Sequence, residues 1–468
     1  MRLKALGLVA VLTGFAAAAP AAAAAKQGIV EVPSAVVTEG LTVDQAIQRQ
    51  AELAASLIRE LPLASKSVFV PVAPAEIGAI DAIDRSTSPL PIGFVKPVAP
   101  SVNLAASRGD ATVTADGGVI WAVTVRAESA GALRLHIDNV QLPDGVQMYV
   151  YSRSGEAYGP YVGKGPDGSG EFWATSVFGT EAIVQIKAVG PDAAQAFRGA
   201  TARIGEVGII TPGFVGPTVD APTASFCGNP ACIVDASCYA GANSIRDAYA
   251  KMEWVAGAFL YTCTAGLLND TNPSSTNYAL TANHCLSKSN VAKNVSFYWR
   301  FRTSTCNGSC PGNSGWPYKT TGSSVAASAR GGDFTLLALT AAPPAGSVRL
   351  GFTNAPVANT NGVPLHRVSN PNFGPQVYNE QTVNTSAPTC QGWPRGERIY
   401  SRDITGAIDG GSSGSPVLNG SSQIVGQLSG TCGFNSSDAC ASGPGEQNAT
   451  VDGAFASYFT AVKPLINP

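Results

Sequence analysis

The stretch Gly410-Gly411-Ser412-Ser413-Gly414-Ser415-Pro416-Val417-Leu418 decides how the chain is read. A serine hydroxyl is a poor nucleophile at its own pKa and needs a base beside it. Glycines around a serine let backbone amides face a bound carbonyl group. Ser413 is therefore the candidate nucleophile, and the N–H groups of Gly411 and Ser413 are the candidate oxyanion hole. The spacing Gly410-x-Ser412-x-Gly414 also fits a strand–serine–helix elbow. Two features exclude that alternative. No histidine follows residue 413, and Ser415-Pro416-Val417-Leu418 leads into a turn and a strand.

The base and its partner lie upstream. Leu280-Thr281-Ala282-Asn283-His284-Cys285 places a histidine after an apolar strand, and Gly332-Asp333 opens the apolar run Phe334–Leu339. Histidine titrates near neutrality, so it can accept the serine proton, and a buried carboxylate can fix its tautomer. Glu380, Glu397, Asp403 and Asp409 also lie between His284 and Ser413. Asp333 alone immediately precedes a continuous apolar strand. The order His284, Asp333, Ser413 separates this triad from the Asp–His–Ser and Ser–acid–His orders of the convergent folds.

A chain of 468 residues has room for more than one core. Charged residues make up 13%, and 51 glycines and 32 prolines favour turn-rich β structure. The net charge of -2 gives no basic field for nucleic acid. Residues 1–25, with Arg2 and Lys4 before an apolar, alanine-rich run, read as a secretory signal, so no membrane contact is expected once it is removed. All ten cysteines lie from Cys227 to Cys440, which argues for disulfides in an extracellular or periplasmic protein and not for metal ligation. Their onset divides the chain. Residues 26–101 form a helical and proline-rich pro-segment, with a helix over Leu41–Leu61 capped by Thr42 or Asp44. Residues 102–205 show short, evenly spaced strands and read as a β-sandwich. Residues 206–226, with Pro212, Pro217 and Pro222, read as a linker with a processing site. Residues 227–468 form the domain that carries the triad.

At His284, Asp333 and Ser413 this last domain resembles the chymotrypsin family, and most of all bacterial lysyl endopeptidases and their relatives. The resemblance implies a double antiparallel β-barrel, of six strands each, so that with the β-sandwich pro-domain read from strand spacing the chain is expected to be all-β. It also implies a cofactor-free, metal-free serine endopeptidase acting on polypeptides. Substrate contacts would come from Ala407 at the base of the specificity pocket and from Ser429, Gly430 and Thr431 along its edge. Thr450 stands where the lysyl endopeptidases carry an acid, and Ser412 stands where most animal members carry an aspartate. Thr450 and Asp452 share one side of their strand, so Asp452 is a candidate anion for a Lys or Arg substrate side chain. The open alternative is that Asp452 bonds locally and the pocket takes small or apolar residues.

Cys263 and Cys285 flank the strands that present His284 and are expected to pair. The resemblance adds Cys238–Cys306 and Cys232–Cys432. Residues 26 to about 226 are expected to act as an inhibitor or folding aid of a monomeric enzyme. The competing reading is a secreted carbohydrate-binding or adhesion protein with an inert protease-like part, its sandwich stacking sugars on Tyr149, Tyr151, Tyr158, Tyr161 and Trp173.

Overall fold

A computed structural model describes residues 28–62, 65–215, 226–272, 276–311, 318–443 and 445–468. The signal at 1–25 and positions 216–225 of the linker lie outside them. No helix is long and apolar enough to cross a membrane among the described residues.

Strands dominate, in three units. The sandwich packs one sheet, containing Val119–Arg126, Val146–Tyr151 and Glu181–Ala188, against a second, containing Leu90–Asn103, Ala132–Gln141 and Thr201–Ile210. Its core includes Trp121, Leu133, Val184 and Ile209. The sandwich is wider than the sequence suggested. Leu90–Asn103, read as part of the proline-rich segment, and Glu206–Ile210, read as linker, are both interior strand. Their prolines misled because Pro91, Pro97 and Pro100 occupy positions of an irregular strand that tolerates a missing N–H. The helix Val43–Glu60 has the expected cap, with Thr42 and Gln45 forming a capping box. Its Ala54 and Leu57 cover Tyr149, Tyr151 and Ile183 of the sandwich.

The remaining chain forms two barrel-like units. In the second, Pro364–Ser369, Val377–Val383, Arg398–Thr405, Ala449–Ala454, Ile424–Cys432 and Pro416–Asn419 pair in that order, and the last returns to the first, closing the ring. The first unit is a half-barrel running Ser296–Trp299, Tyr249–Ala256, Phe259–Leu268, Tyr278–Ala282, Phe334–Leu339, Ser323–Ala329. Its two ends meet at a corner: Tyr318–Thr321 pairs with Ser296–Trp299, and the chain bends at Gly322 (φ +103°) into Ser323–Ala329. The run Trp254–Tyr261, which reads as one strand, is a hairpin turning at Gly257 (φ +60°) and Ala258. Gly257 is the sole turn signal there, too weak to break an otherwise apolar run.

The half-barrel and the sandwich share a sheet. Leu90–Asn103 pairs with Phe259–Leu268 in the register Leu90↔Thr262, Pro91↔Tyr261, Gly93↔Leu260, Phe94↔Phe259. Behind this seam lie two ion pairs with both partners fully buried, Arg134–Glu253 at 3.2 Å and Lys319–Glu156 at 2.8 Å.

Candidate active site

The two barrel units meet where three strands begin or end. Ala282 pairs with Phe334, so the residues just outside that register, His284 and Asp333, face each other. The Asn283 N–H donates to the Asp333 carbonyl at 2.9 Å, and the His284 N–H donates to Asp333 Oδ1 at 3.0 Å. His284 Nδ1 lies 2.8 Å from Asp333 Oδ2. That contact fixes the proton on Nδ1 and leaves Nε2 as the acceptor, the tautomer a general base requires. Asp333 is 7% exposed and has a positive φ of +54°. The turn that supports it needs Gly332 (φ +73°), where an added Cβ would lie 2.7 Å from the Tyr458 ring.

Ser413 arrives from the closed barrel. The Thr264 N–H donates to the Ser413 carbonyl at 2.9 Å, locking the serine loop onto the half-barrel. Gly414 (φ +81°) makes the approach possible, since a Cβ there would lie 2.2 Å from Thr281 Oγ1. Ser412 is buried and accepts from Ser369 Oγ at 3.0 Å. Among the described residues, the N–H groups of Gly411 and Ser413 bond to no other group. Two amides beside a nucleophile, with no partner of their own, can stabilise an oxyanion.

A residue that nothing in the sequence marks out completes this picture. Ser88 Oγ stands 2.6 Å from His284 Nε2 and 2.6 Å from Ser413 Oγ. It separates base from nucleophile: no direct His284–Ser413 hydrogen bond is present among the described residues. The surrounding segment crosses the cleft. A Cβ on Gly410 would lie 1.7 Å from the Arg85 carbonyl oxygen. Beyond Ser88 the chain leaves along Phe259–Thr262 as the first residues of the shared strand.

The expected substrate residues divide into two groups. Ser429, Gly430 and Thr431 line the cleft beside His284 and Ser88. Ala407 is buried against Ile233 and Val377. Thr450 is buried and donates to Asp403 Oδ1 at 3.0 Å; burial pushes the Asp403 carboxyl up to about 7. Asp452 does not serve as a pocket anion. Its oxygens lie 2.7 and 2.8 Å from Arg367 Nη2, with Gln381 donating at 3.2 Å, and both charged side chains are fully buried. Alternation along the strand was sound, but the shared side of Thr450 and Asp452 faces the barrel interior. The acid that lines the space beside Ser413 is Asp409.

Five disulfides are present: Cys263–Cys285, Cys238–Cys306, Cys227–Cys310, Cys232–Cys440 and Cys390–Cys432. The suggested Cys232–Cys432 pair is thus replaced. Cys432 ends its strand near the Cys390 loop, with Tyr400 and Val451 around it, while Cys232 meets the turn at Cys440. Cys263 and Cys285 flank His284 closely enough to suggest a metal cluster, but their sulfurs are bonded to each other and offer no thiolate. Tyr149, Tyr151 and Tyr158 are buried, and Trp173 stacks on His136 at 4.8 Å, so these rings do not form an open sugar platform.

Geometry and sequence likeness coincide on the same stretch. Residues 228–442 match the family model of the lysyl endopeptidase C-terminal domain. This domain contains His284, Asp333 and Ser413, and its architecture is that of the chymotrypsin-like serine proteases. The lysyl endopeptidase of Pseudomonas aeruginosa is 30% identical over 212 residues, which span 42% of this chain and 45% of that protein. The chain thus covers less than half the length of that relative. Among solved structures, an inactive form of Rv3671c from M. tuberculosis aligns over 53% of this chain and 99% of that one, at 16% identity and TM-score 0.33. The MamO protease domain of Magnetospirillum magneticum aligns over 47% and 97%, at 13% identity and TM-score 0.30.

Proposed function

We propose that this chain is a secreted serine endopeptidase made as a precursor, with residues 26 to about 226 restraining its cleft. The observation that carries the reading is the meeting of the His284–Asp333 pair with Ser413 beside two unbonded amides. In the reaction Ser413 Oγ attacks the substrate carbonyl carbon while His284 Nε2 takes the hydroxyl proton. The Gly411 and Ser413 amides hold the oxyanion, and Asp333 stabilises the imidazolium. His284 then protonates the leaving amine, and water hydrolyses the acyl-enzyme by the same route in reverse. No cofactor enters these steps. Export is supported by the N-terminal signal pattern and by five disulfides. A fluorophosphonate probe tests the reading: it should label Ser413 alone, and labelling of any other serine would overturn it.

Restraint by the pro-region is supported by Ser88, which takes hydrogen bonds that Ser413 and His284 would otherwise exchange. Ser88→Ala in the full-length chain should therefore speed labelling by a small fluorophosphonate by about tenfold. Peptide hydrolysis should stay low, because Leu90–Phe94 still covers the Phe259–Thr262 edge. Full-rate peptide hydrolysis by the unaltered precursor would refute the restraint.

Cleavage after Lys or Arg is supported by the name of the Pseudomonas aeruginosa relative and by Asp409 in the wall beside Ser413. Asp409 accepts from the Gly410 N–H at 2.8 Å and from Asn372 Nδ2 at 3.0 Å, and burial raises its pKa. Its anionic form is lost as pH falls through that raised pKa, so a basic preference carried by Asp409 should weaken in acid sooner than for an ordinary aspartate. Asp409→Asn should lower kcat/KM after Lys and Arg by about tenfold or more relative to neutral residues. An unchanged ratio would remove Asp409 from specificity.

A further inference from the structure

We propose that Arg398, with Arg330 and Trp393, forms a cationic subsite selecting substrates with an aspartate or glutamate a few residues before the scissile bond. The inference rests on the endopeptidase reading above and names part of its substrate class. All three residues line one cleft of about 660 Å³ that also contains His284. Arg398 is 4% exposed, yet its guanidinium makes only long contacts to backbone, 3.3 Å to the Glu397 carbonyl and 3.4 Å to the Arg330 carbonyl. Its Nε is buried with no hydrogen-bond partner, and neither arginine forms an ion pair among the described residues.

A buried guanidinium with unfilled donors is costly, and a carboxylate matches its donor fork. The cleft's own acid cannot supply that match. Both oxygens of Asp333 are engaged by His284, at 3.0 Å to its N–H and 2.8 Å to Nδ1. Trp393 provides a wall, its ring centroid 5.8 Å from the Arg398 guanidinium carbon and its edge 3.6 Å from where a Cβ on Gly430 would stand. A bulkier residue than glycine at 430 would push into this space.

The side of the scissile bond follows from the segment already in the cleft. Ser86 and Ser88 face the arginine cleft, whereas Leu90–Phe94 lies on the Phe259–Thr262 strand. A substrate crossing in the same direction places its residues before the scissile bond against Arg398 and Arg330.

The test uses the full-length chain, matured during secretion and titrated for active sites. Peptide pairs identical except for Glu or Gln, two to four residues before the cleaved bond, are compared by kcat/KM. At low salt one position should favour Glu by about tenfold or more. The ratio should fall toward one in about 1 M salt, and also in Arg398→Gln. Arg330→Gln should lower it in part. If Arg398→Gln fails to fold, the salt series and Arg330→Gln decide. A ratio near one in the unaltered enzyme at low salt overturns the subsite, as does a ratio that salt and both substitutions leave intact. Absence of any hydrolysis or fluorophosphonate labelling is a different result: it overturns the endopeptidase reading, and the subsite with it.

Discussion

Ser413→Ala is expected to lower kcat by roughly four to six orders of magnitude, with the fold unchanged. On the proposed mechanism this hydroxyl bonds covalently to the substrate carbonyl while His284 Nε2 receives its proton. Removing it leaves only the amides of Gly411 and Ser413 and the substrate contacts. Ser413 is 4% exposed, and its loop is anchored through its backbone carbonyl to the Thr264 N–H, so losing Oγ costs little packing. His284→Ala should be nearly as severe, and combining the two should add little, because base and nucleophile act as a unit. Steady-state hydrolysis with a matched circular-dichroism melt separates lost chemistry from lost structure. Retained activity in Ser413→Ala together with lost activity in Ser412→Ala would move the nucleophile by one residue.

Glu253→Ala is expected to destabilise the full-length chain by about 3–5 kcal/mol. Glu253 sits on the half-barrel strand Tyr249–Ala256 and faces the sandwich. It accepts from Ser176 Oγ at 2.7 Å and from Tyr298 OH, and it pairs with Arg134 at 3.2 Å. Arg134 is 0% exposed, so deleting the carboxylate strands a guanidinium where water does not reach. Lys251 lies nearby, enclosed by the rings of Phe301 and Phe373 at 3.5 Å, with burial holding its pKa well below that of an exposed lysine. The seam therefore already holds more cations than it can easily tolerate. Denaturant unfolding of the full-length protein measures the loss. A change below about 1 kcal/mol would mean that water enters the seam on substitution. Replacing Arg134 by Met and Glu253 by Leu together should restore most of the stability, since neither charge is then left alone.

The triad was legible because its chemistry restricts residue types at short range. A histidine ending an apolar strand, an aspartate opening one and a serine among glycines each carry a local signature. The helix Val43–Glu60 was legible for a similar reason, through its 3.6-residue pattern and its Thr42–Gln45 cap. Features made by distant segments were not. Ser88 is one serine among several in a proline-dotted stretch, and its role depends on where the whole sandwich docks. The Asp452–Arg367 pair joins residues 85 positions apart, so alternation could give Asp452 a side of its strand but not the direction that side faces. The same limit applies to Arg398, whose unfilled Nε donor is a property of the assembled cleft.

The shared strand between sandwich and half-barrel has a thermodynamic consequence. The Phe259–Thr262 edge can accept one extended backbone at a time, so the Leu90–Phe94 strand would compete with any polypeptide that binds there for the same hydrogen bonds. While the sandwich is covalently attached, its strand competes as an intramolecular ligand at an effective concentration in the millimolar range or above, which few free peptides match. Cutting the chain between the two modules removes that advantage without removing a single contact. The proposed restraint would then become second order, governed by mass action between two separate molecules. Buried ion pairs such as Arg134–Glu253 regain water when the modules part, so they favour the correct partner more than they raise its affinity. On the proposed restraint, release would be set by dilution: the cleft would stay covered where the protein is concentrated and open as it disperses.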